Sequence, residues 1–240
     1  MMPHTPLQTQ STLSLISVII PALDEATNLS RLIPRLAAMP EIAEIIICDG
    51  GSDDQTVLVA QQLGARVVMA PRNRGAQMNA GAAVAGGKVL WFLHADCWPH
   101  QNSARAIARA VQHPKILGGN FRLKFASPQI EARLFERIAR LQRRFGVYYG
   151  DSGLWLRRET FEELGCFPSW PLFEDYALIQ QLEMHAKRTR SRTKYFFLPL
   201  IASSRRFEKH PWRTLWLWLR LQVLFSLGVS PEKLSRMYRR

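Results

Sequence analysis

Only three of the 240 residues are cysteine, Cys48, Cys97 and Cys166, and they lie far apart. An odd and scattered count argues against a disulfide framework and offers no metal-ligand spacing, so a reducing, cytosolic compartment is expected. Acidic residues are scarce too: 19 Asp and Glu stand against 32 Lys and Arg, a net charge of +13. The deficit is unevenly shared. Residues 1–120 hold 9 Lys and Arg against 8 Asp and Glu, whereas residues 121–240 hold 23 against 11. A second half this basic either meets something anionic (phospholipid, phosphorylated substrate, nucleic acid) or carries a well-solvated basic face. No apolar run reaches the ~20 clean residues of a membrane-spanning helix. Residues 1–14 have neither Lys nor Arg and no long apolar stretch, so they read as a disordered leader and not as a signal peptide. The chain has no Gly-x-x-x-x-Gly-Lys-Ser/Thr loop to cradle phosphates. Its first strand-like segment is followed by Pro-Ala-Leu-Asp-Glu, not by the glycines that a dinucleotide fold requires.

What is present begins with four short apolar segments. Leu15–Pro21, Ile45–Cys48, Arg66–Met69 and Val89–Leu93 read as strands, the last the most apolar. Between the first two, Leu29, Leu32, Ile33 and Leu36 recur at i, i+3, i+4 and i+7, an amphipathic helix that contains Pro34. Ser52 or Asp53 offers a cap to a second helix carrying Val57, Ala60 and Leu63. A third, rich in small residues, runs from Ala76 to Ala85. Such β-α alternation predicts an α/β fold with a mostly parallel, Rossmann-like sheet and flanking helices. Each strand then ends in polar residues on one edge of the sheet: Pro21, Asp24 and Glu25; Asp49; Arg72 and Arg74; His94 and Asp96. Ligands bind beyond the carboxyl ends of strands in open α/β sheets, so this edge is expected to hold a nucleotide. Ionised carboxylates accept hydrogen bonds only, which suits Asp24, Glu25 and Asp49 to base N–H groups and ribose hydroxyls. Asp96 can hold a hard divalent ion that grips a diphosphate, with Arg72 or Arg74 nearby.

The pieces Ser-Val-Ile-Ile-Pro-Ala-Leu-Asp-Glu (17–25), Cys-Asp-Gly-Gly-Ser-Asp-Asp-Gln-Thr (48–56), Arg-Gly-Ala-Gln-Met-Asn-Ala-Gly (74–81) and Phe-Leu-His-Ala-Asp (92–96) resemble the family 2 glycosyltransferases of GT-A fold. So do Gly-Asp-Ser-Gly-Leu-Trp-Leu-Arg-Arg (150–158), Gly-Cys-Phe-Pro (165–168) and Glu-Asp (174–175), in the family's order. The resemblance implies a nucleotide-sugar donor, a UDP-sugar first among them, a Mn²⁺ or Mg²⁺ ion and inversion at the anomeric carbon. It also makes Asp24, Asp49 and Arg74 donor-binding residues, Asp96 the metal ligand and Asp175 the base, with Glu174 beside it. One departure is plain: the family's Asp-x-Asp is His94-x-Asp96 here. A narrower subgroup is similar in this His-Ala-Asp form and in Ser-Ser-Arg-Arg-Phe-Glu (203–208), and some of its members are labelled arsenosugar-pathway enzymes.

The reading divides the chain into a donor half (15–125), an acceptor half (126–210) and a C-terminal amphipathic region (211–240). Gly118–Phe125 alternates like a strand near a bend. Ile130, Leu134, Ile138, Leu141 and Phe145 trace a helical stripe that predicts packing against the core, flanked by arginines on a solvated face. Asp151 either faces an acceptor or caps a turn. Glu174 and Asp175 open a helix, where two carboxylates favour the dipole whatever else they do. The apolar stretch 212–229 fits an interfacial membrane helix, a dimer face or a core helix. Trp212, Trp216 and Trp218 beside Arg213 and Arg220 favour the first, and with it a peripheral enzyme on the cytoplasmic face of a membrane with a lipid-linked acceptor. A nucleotidyltransferase-like enzyme shares the layout. A nucleic-acid-binding module would use the basic half, but its cations form no recognisable reading motif, and no nucleic-acid partner is expected.

Overall fold

The computed structural model describes residues 15–204 and 211–238; the expected leader, residues 1–14, and the part of the 203–208 run from 205 onward lie outside the described residues. The first half alternates as its periodicity predicts: β1 (Ile16–Ala22), α1 (Ala26–Ala37), β2 (Ile42–Asp49), α2 (Thr56–Gln62), β3 (Arg66–Met69), α3 (Arg74–Val84) and β4 (Val89–Phe92). β1 lies between β2 and β4, β3 flanks β2, and all four strands are parallel. Successive residues of β1 serve opposite faces of the sheet. Val18 and Ile20 pack with Leu29, Leu32, Ile33 and Leu36 of α1, while Ile19 packs with Met78 and Ala82 of α3. A strand buried on both faces has no room for a polar alternate, which is why these segments read as continuous apolar runs.

The second half departs from a mostly parallel sheet. β5 (Cys97–Pro99), α4 (Ser103–Ala110), β6 (Ile116–Phe125), α5 (Ile130–Arg144), a 3-10 turn (Gly150–Ser152), β7 (Trp155–Arg157), α6 (Arg158–Glu163), α7 (Glu174–Arg188), β8 (Arg192–Ala202), α8 (Pro211–Ser226) and α9 (Pro231–Tyr238) complete the order. The eight strands lie in the sequence β3-β2-β1-β4-β7-β6-β8-β5. β7 is antiparallel to β4 and β6, β8 is parallel to β6, and β5 is antiparallel to β8. The sheet is therefore mixed. The chain enters β7 from the carboxyl end of β4, where the Phe92 N–H donates to the Leu154 carbonyl. After α5 and the 3-10 turn the chain re-enters the sheet at that end, so β7 runs back antiparallel to β4. The same entry sets the 3-10 turn beside His94. The bend expected near residues 118–125 is real: β6 changes register against β8 between Phe121 and Arg122.

Three local expectations are corrected. α2 is not capped by Ser52 or Asp53; Asp54 accepts from the Thr56 N–H at 2.8 Å and also from the Ala26 N–H of α1. The α5 stripe faces outward: Ile130 is 80% and Phe145 76% exposed, and Leu134 and Leu141 are exposed with them. α5 buries Ala132 and Phe135 instead, and Arg143 reaches inward to Asn120 Oδ1 at 2.7 Å and Thr193 Oγ1 at 2.9 Å. Periodicity finds a stripe, but these polar anchors decide which side of the helix faces the sheet. Lastly, Trp218 turns inward to meet Phe135 edge-on at 6.1 Å, so only Trp212 and Trp216 of its trio stand on the surface.

The seat of α3 against the sheet is close enough to test. A Cβ on Gly81 would stand 2.5 Å from Cys48 Sγ and 2.6 Å from Ile19 Cγ2. Gly81→Ala is expected to lower stability by roughly 1–3 kcal/mol through overpacking, and Cys48→Ala in the same chain to restore part of it. Denaturant unfolding of the single and double variants measures both.

Candidate active site

Because β1 to β4 are parallel, their carboxyl ends share one edge, and the loops leaving them meet there. The first two are laced together. Asp24, exposed and in the left-handed backbone region (φ 53°), accepts from the Asp53 N–H at 2.8 Å, while its own N–H donates to Ser52 Oγ. Asp49 is fully buried; its Oδ2 accepts from the N–H groups of Gly51 and Ser52 at 2.8 and 2.9 Å, and its Oδ1 from Ser52 Oγ. Of the two carboxylates, Asp24 is the one open to a ligand, and Asp49 shapes the loop. Glu25 accepts from Asn28 Nδ2, and its N–H donates to Thr56 Oγ1. Pro21 lies half-buried in β1 opposite Cys48.

α3 fastens these loops to the second half of the chain. Gln77 Nε2, buried, donates to the carbonyls of Ala22 and Cys48 at 2.9 and 2.8 Å. Asn73 Oδ1 caps the helix by accepting from the Ala76 N–H, and its amide donates to the Trp170 carbonyl. Asn79 donates to the Phe167 carbonyl and accepts from the Phe167 N–H. This clamp holds the 167–173 loop so that the next residue, Glu174, meets Arg74, Nε to Oε1 at 2.8 Å. Arg72 is exposed on the loop before α3. Burial pushes the Glu174 carboxyl above its ordinary range against the pull of Arg74, and Asp175 adds to the rise. For Arg74 burial works against the charge, but Glu174 and Asp175 outweigh it and hold the guanidinium above its usual pKa. Phe173, just before this pair, adopts a left-handed backbone (φ 65°), and its ring packs on Phe225 of α8 at 4.7 Å.

The end of β4 supplies His94 and Asp96. Beneath them Cys97 is buried, and its thiol is pushed well up by that burial and then by the charges of Asp96 and Asp151. The 3-10 turn thus brings Asp151, which the sequence left open between acceptor and cap, to the Asp96 side. On the other side the Gly150 N–H donates to Asp175 Oδ2 at 2.6 Å. A Cβ at Gly150 would stand 3.1 Å from Asp175 Oδ2 and 3.4 Å from His94 Nε2. Glycine therefore keeps open the gap between the end of β4 and the start of α7. His94, Gly150, Glu174 and Asp175 line a cavity of ≈10 Å³ there, about room for one water, so it is a cleft floor and not the volume of a sugar. Sequence reasoning named His94, Glu174 and Asp175, which meet here, and Asp96, which follows His94 two residues on and does not line this cavity. It missed the α3 clamp, whose signal is amides among the small residues of Asn73–Asn79.

Among the described residues no three His, Cys, Asp or Glu side chains cluster as a complete metal shell. A Mg²⁺ or Mn²⁺ ion that keeps waters and takes substrate phosphates needs only one or two protein carboxylates. Asp96, with His94 two residues before it and the Asp151 charge close by, fits such an open shell.

Glu174 is only 1% exposed, so removing its partner strands a buried charge. Arg74→Met should cost about 3 kcal/mol at pH 7, the low end for a broken buried pair because Arg74 itself is 36% exposed. With its folded-state pKa above the unfolded value, Glu174 keeps that stability below the unfolded pKa and loses it as pH rises through the folded one. The deficit against the parent chain should therefore shrink as pH falls from 7 toward 5 in urea titrations; a deficit that grows on acidification would refute the account.

Residues 17–165 match the Glycosyl transferase family 2. The glycosyltransferase AglE of Haloferax volcanii is 25% identical over 175 residues, 66% of this chain and 58% of that protein. An uncharacterized glycosyltransferase of a Nostoc species is 30% identical over 188 residues, 68% and 58% respectively. The chain thus spans less than two thirds of the length of these curated relatives. A crystal structure of glucosyl-3-phosphoglycerate synthase from Mycobacterium tuberculosis with Mn²⁺ and UDP-glucose superposes with a TM-score of 0.63 at 20% identity, covering 90% of this chain and 78% of that one. At that identity the likeness shows the fold, an α/β mixed sheet with flanking helices. The family match runs from β1 through α6, more than half of the chain, and on that ground the chain belongs to the glycosyl transferase family 2.

Proposed function

We propose that this chain transfers a sugar from a nucleotide-diphosphate sugar, a UDP-sugar, to an acceptor hydroxyl with inversion at the anomeric carbon and with a Mn²⁺ or Mg²⁺ ion. The observation that carries the reading is the glycine turn of the second half: Gly150 stands between His94, at the end of β4, and Asp175, at the start of α7, and Asp151 beside it accepts through its carbonyl from the thiol of Cys97, the neighbour of Asp96. The family membership supports the reaction class, and the synthase of like fold, crystallised with Mn²⁺ and UDP-glucose, supports donor and ion.

Each residue then has a part. Asp24 accepts from the base or ribose on the open edge, while Asp49 keeps the loop in shape. Asp96, with His94, would hold the divalent ion, which when bound neutralises the charge growing on the leaving diphosphate. Asp175, steadied by the Gly150 N–H, takes the proton from the acceptor hydroxyl as its oxygen bonds to the anomeric carbon. The bond from that carbon to the diphosphate oxygen breaks on the opposite face, so one displacement inverts the centre. Glu174 braces Arg74 and does not itself take the proton. His94 in place of a first carboxylate puts an imidazole beside the sugar, in keeping with the narrower His-Ala-Asp subgroup. Among the described residues no helix is long and apolar enough to cross a membrane. The basic second half and its surface tryptophans favour work at the cytoplasmic face on a lipid-linked acceptor.

Asp96→Ala should abolish the Mn²⁺-dependent part of UDP binding and leave the fold intact, as read by calorimetry with and without metal. Unchanged metal-dependent affinity would retire the assignment. Asp175→Asn should bind donor normally and lose transfer by roughly 10²–10⁴. If Glu174→Gln is inactive for transfer although folded, and Asp175→Asn is active, the two carboxylates exchange roles.

A further inference from the structure

α8 has two faces of different use. Its inner side, with Leu221 and Phe225, packs on Phe173 and Tyr176, and Gln222 accepts a hydrogen bond from Tyr149, next to the Gly150 turn. Its outer side shows Trp212, Trp216, Leu219 and Val223, with Leu227 just beyond the helix end, all exposed, at i, i+4, i+7, i+11 and i+15. At 3.6 residues per turn these five fall on one side of the helix. α5 repeats the pattern with Ile130, Leu134, Leu141 and Phe145 at i, i+4, i+11 and i+15, and its exposed Arg133, Arg137, Arg140 and Arg144 run alongside that arc. The two arcs join: Ile130 and Leu134 of α5 and Trp212 of α8 line one surface groove of ≈540 Å³, with Gln129 and Glu131 also on its wall. So large an exposed apolar area marks an interaction surface.

We infer that α5 and α8 together form one docking face for an anionic phospholipid surface. Tryptophan favours the interface between hydrocarbon and water, and long basic side chains reach anionic headgroups from a helix lying in that plane. Arg213 and Arg220 edge the α8 arc as the four arginines edge that of α5, so the apolar strip is bordered by cations on both helices. A second copy of this chain would bring the same cations against themselves, which disfavours a dimer through this face. The face lies on the outer side of the helix whose inner side packs on Phe173 and Tyr176, the residues that flank Glu174 and Asp175. Docking there would hold the cleft beside a membrane surface, which deepens the acceptor reading given above and rests on it.

The test is co-sedimentation of the full chain with vesicles of equimolar phosphatidylglycerol and phosphatidylcholine, against vesicles of phosphatidylcholine alone, at low salt. Strong partitioning to the anionic vesicles only is expected. Arg133→Gln with Arg137→Gln should weaken it about 30-fold, at roughly fivefold per cation near the surface. Ile130→Ser with Leu134→Ser, both exposed, should weaken it at unchanged charge and unchanged melting temperature. No binding to anionic vesicles overturns the inference, as does binding that the Ile130 and Leu134 changes leave intact. A dimer dissociated by those same changes, without vesicle binding, assigns the face to a second copy and overturns it too. UDP binding measured by thermal shift on the same preparation keeps the two readings apart: at 100 times its Kd a donor nucleotide adds about 2.7 kcal/mol. A chain that binds UDP but no vesicle fails here alone, and one that binds vesicles but no UDP fails as a glycosyltransferase alone.

Discussion

Glu174 is a carboxylate with almost no access to water, and a group so placed has to be neutralised by something the fold supplies. Arg74, at the first turn of α3, does this, and the pair ties the donor half of the sheet to the helix that carries Asp175. Everything around it serves the meeting. Gln77 pins α3 to the ends of β1 and β2, while Asn73 and Asn79 hold the 167–173 loop at the distance that lets the two side chains touch. A charge pair in low dielectric is worth having only when its geometry is fixed, so the amides fix it.

The first half of the chain was legible because its physics is local. β1, β4 and the end of β2, buried on both faces, read as apolar runs; the ends of all four parallel strands fall on one edge by the parallel rule alone, and Asp24, His94 and Asp96 are found where that rule puts them. The second half was less so, since its strands take their direction from where the chain enters the sheet and not from composition. β7 has three residues and β5 has three, too few for a period. The direction of α5 was hidden for a different reason. Leucines and arginines recur on it with equal regularity, and the deciding contacts, Arg143 with Asn120 and Thr193, join residues 23 and 50 positions apart. Asp151 shows the same limit: only the long-range meeting of the 3-10 turn with β4 gives it neighbours that its sequence context does not suggest.

The site also shows how a family pattern can persist while one member of it changes. With His94 where the resemblance expects a first carboxylate, the end of β4 keeps Asp96 as its one carboxylate. Asp151, from the second half of the chain, lies by the same buried thiol: Cys97 Sγ donates to the Asp151 carbonyl at 3.9 Å, and burial first, then the charges of Asp96 and Asp151, push that thiol up. The field at the cleft is thus assembled from both halves of the chain, although the local motif alone would seem to set it.

Phe173 holds a backbone conformation that costs a residue with a Cβ of the order of 1–2 kcal/mol. Its carbonyl accepts from the Ala177 N–H and its ring meets Tyr176, but the nearest ring contact is with Phe225, on a helix some fifty residues later. The backbone that leads into Glu174 and Asp175 is therefore seated from the side of α8. Where the two carboxylates stand depends on a helix far along the chain, so a change on α8 that loosens the Phe225 contact reaches the cleft without touching it.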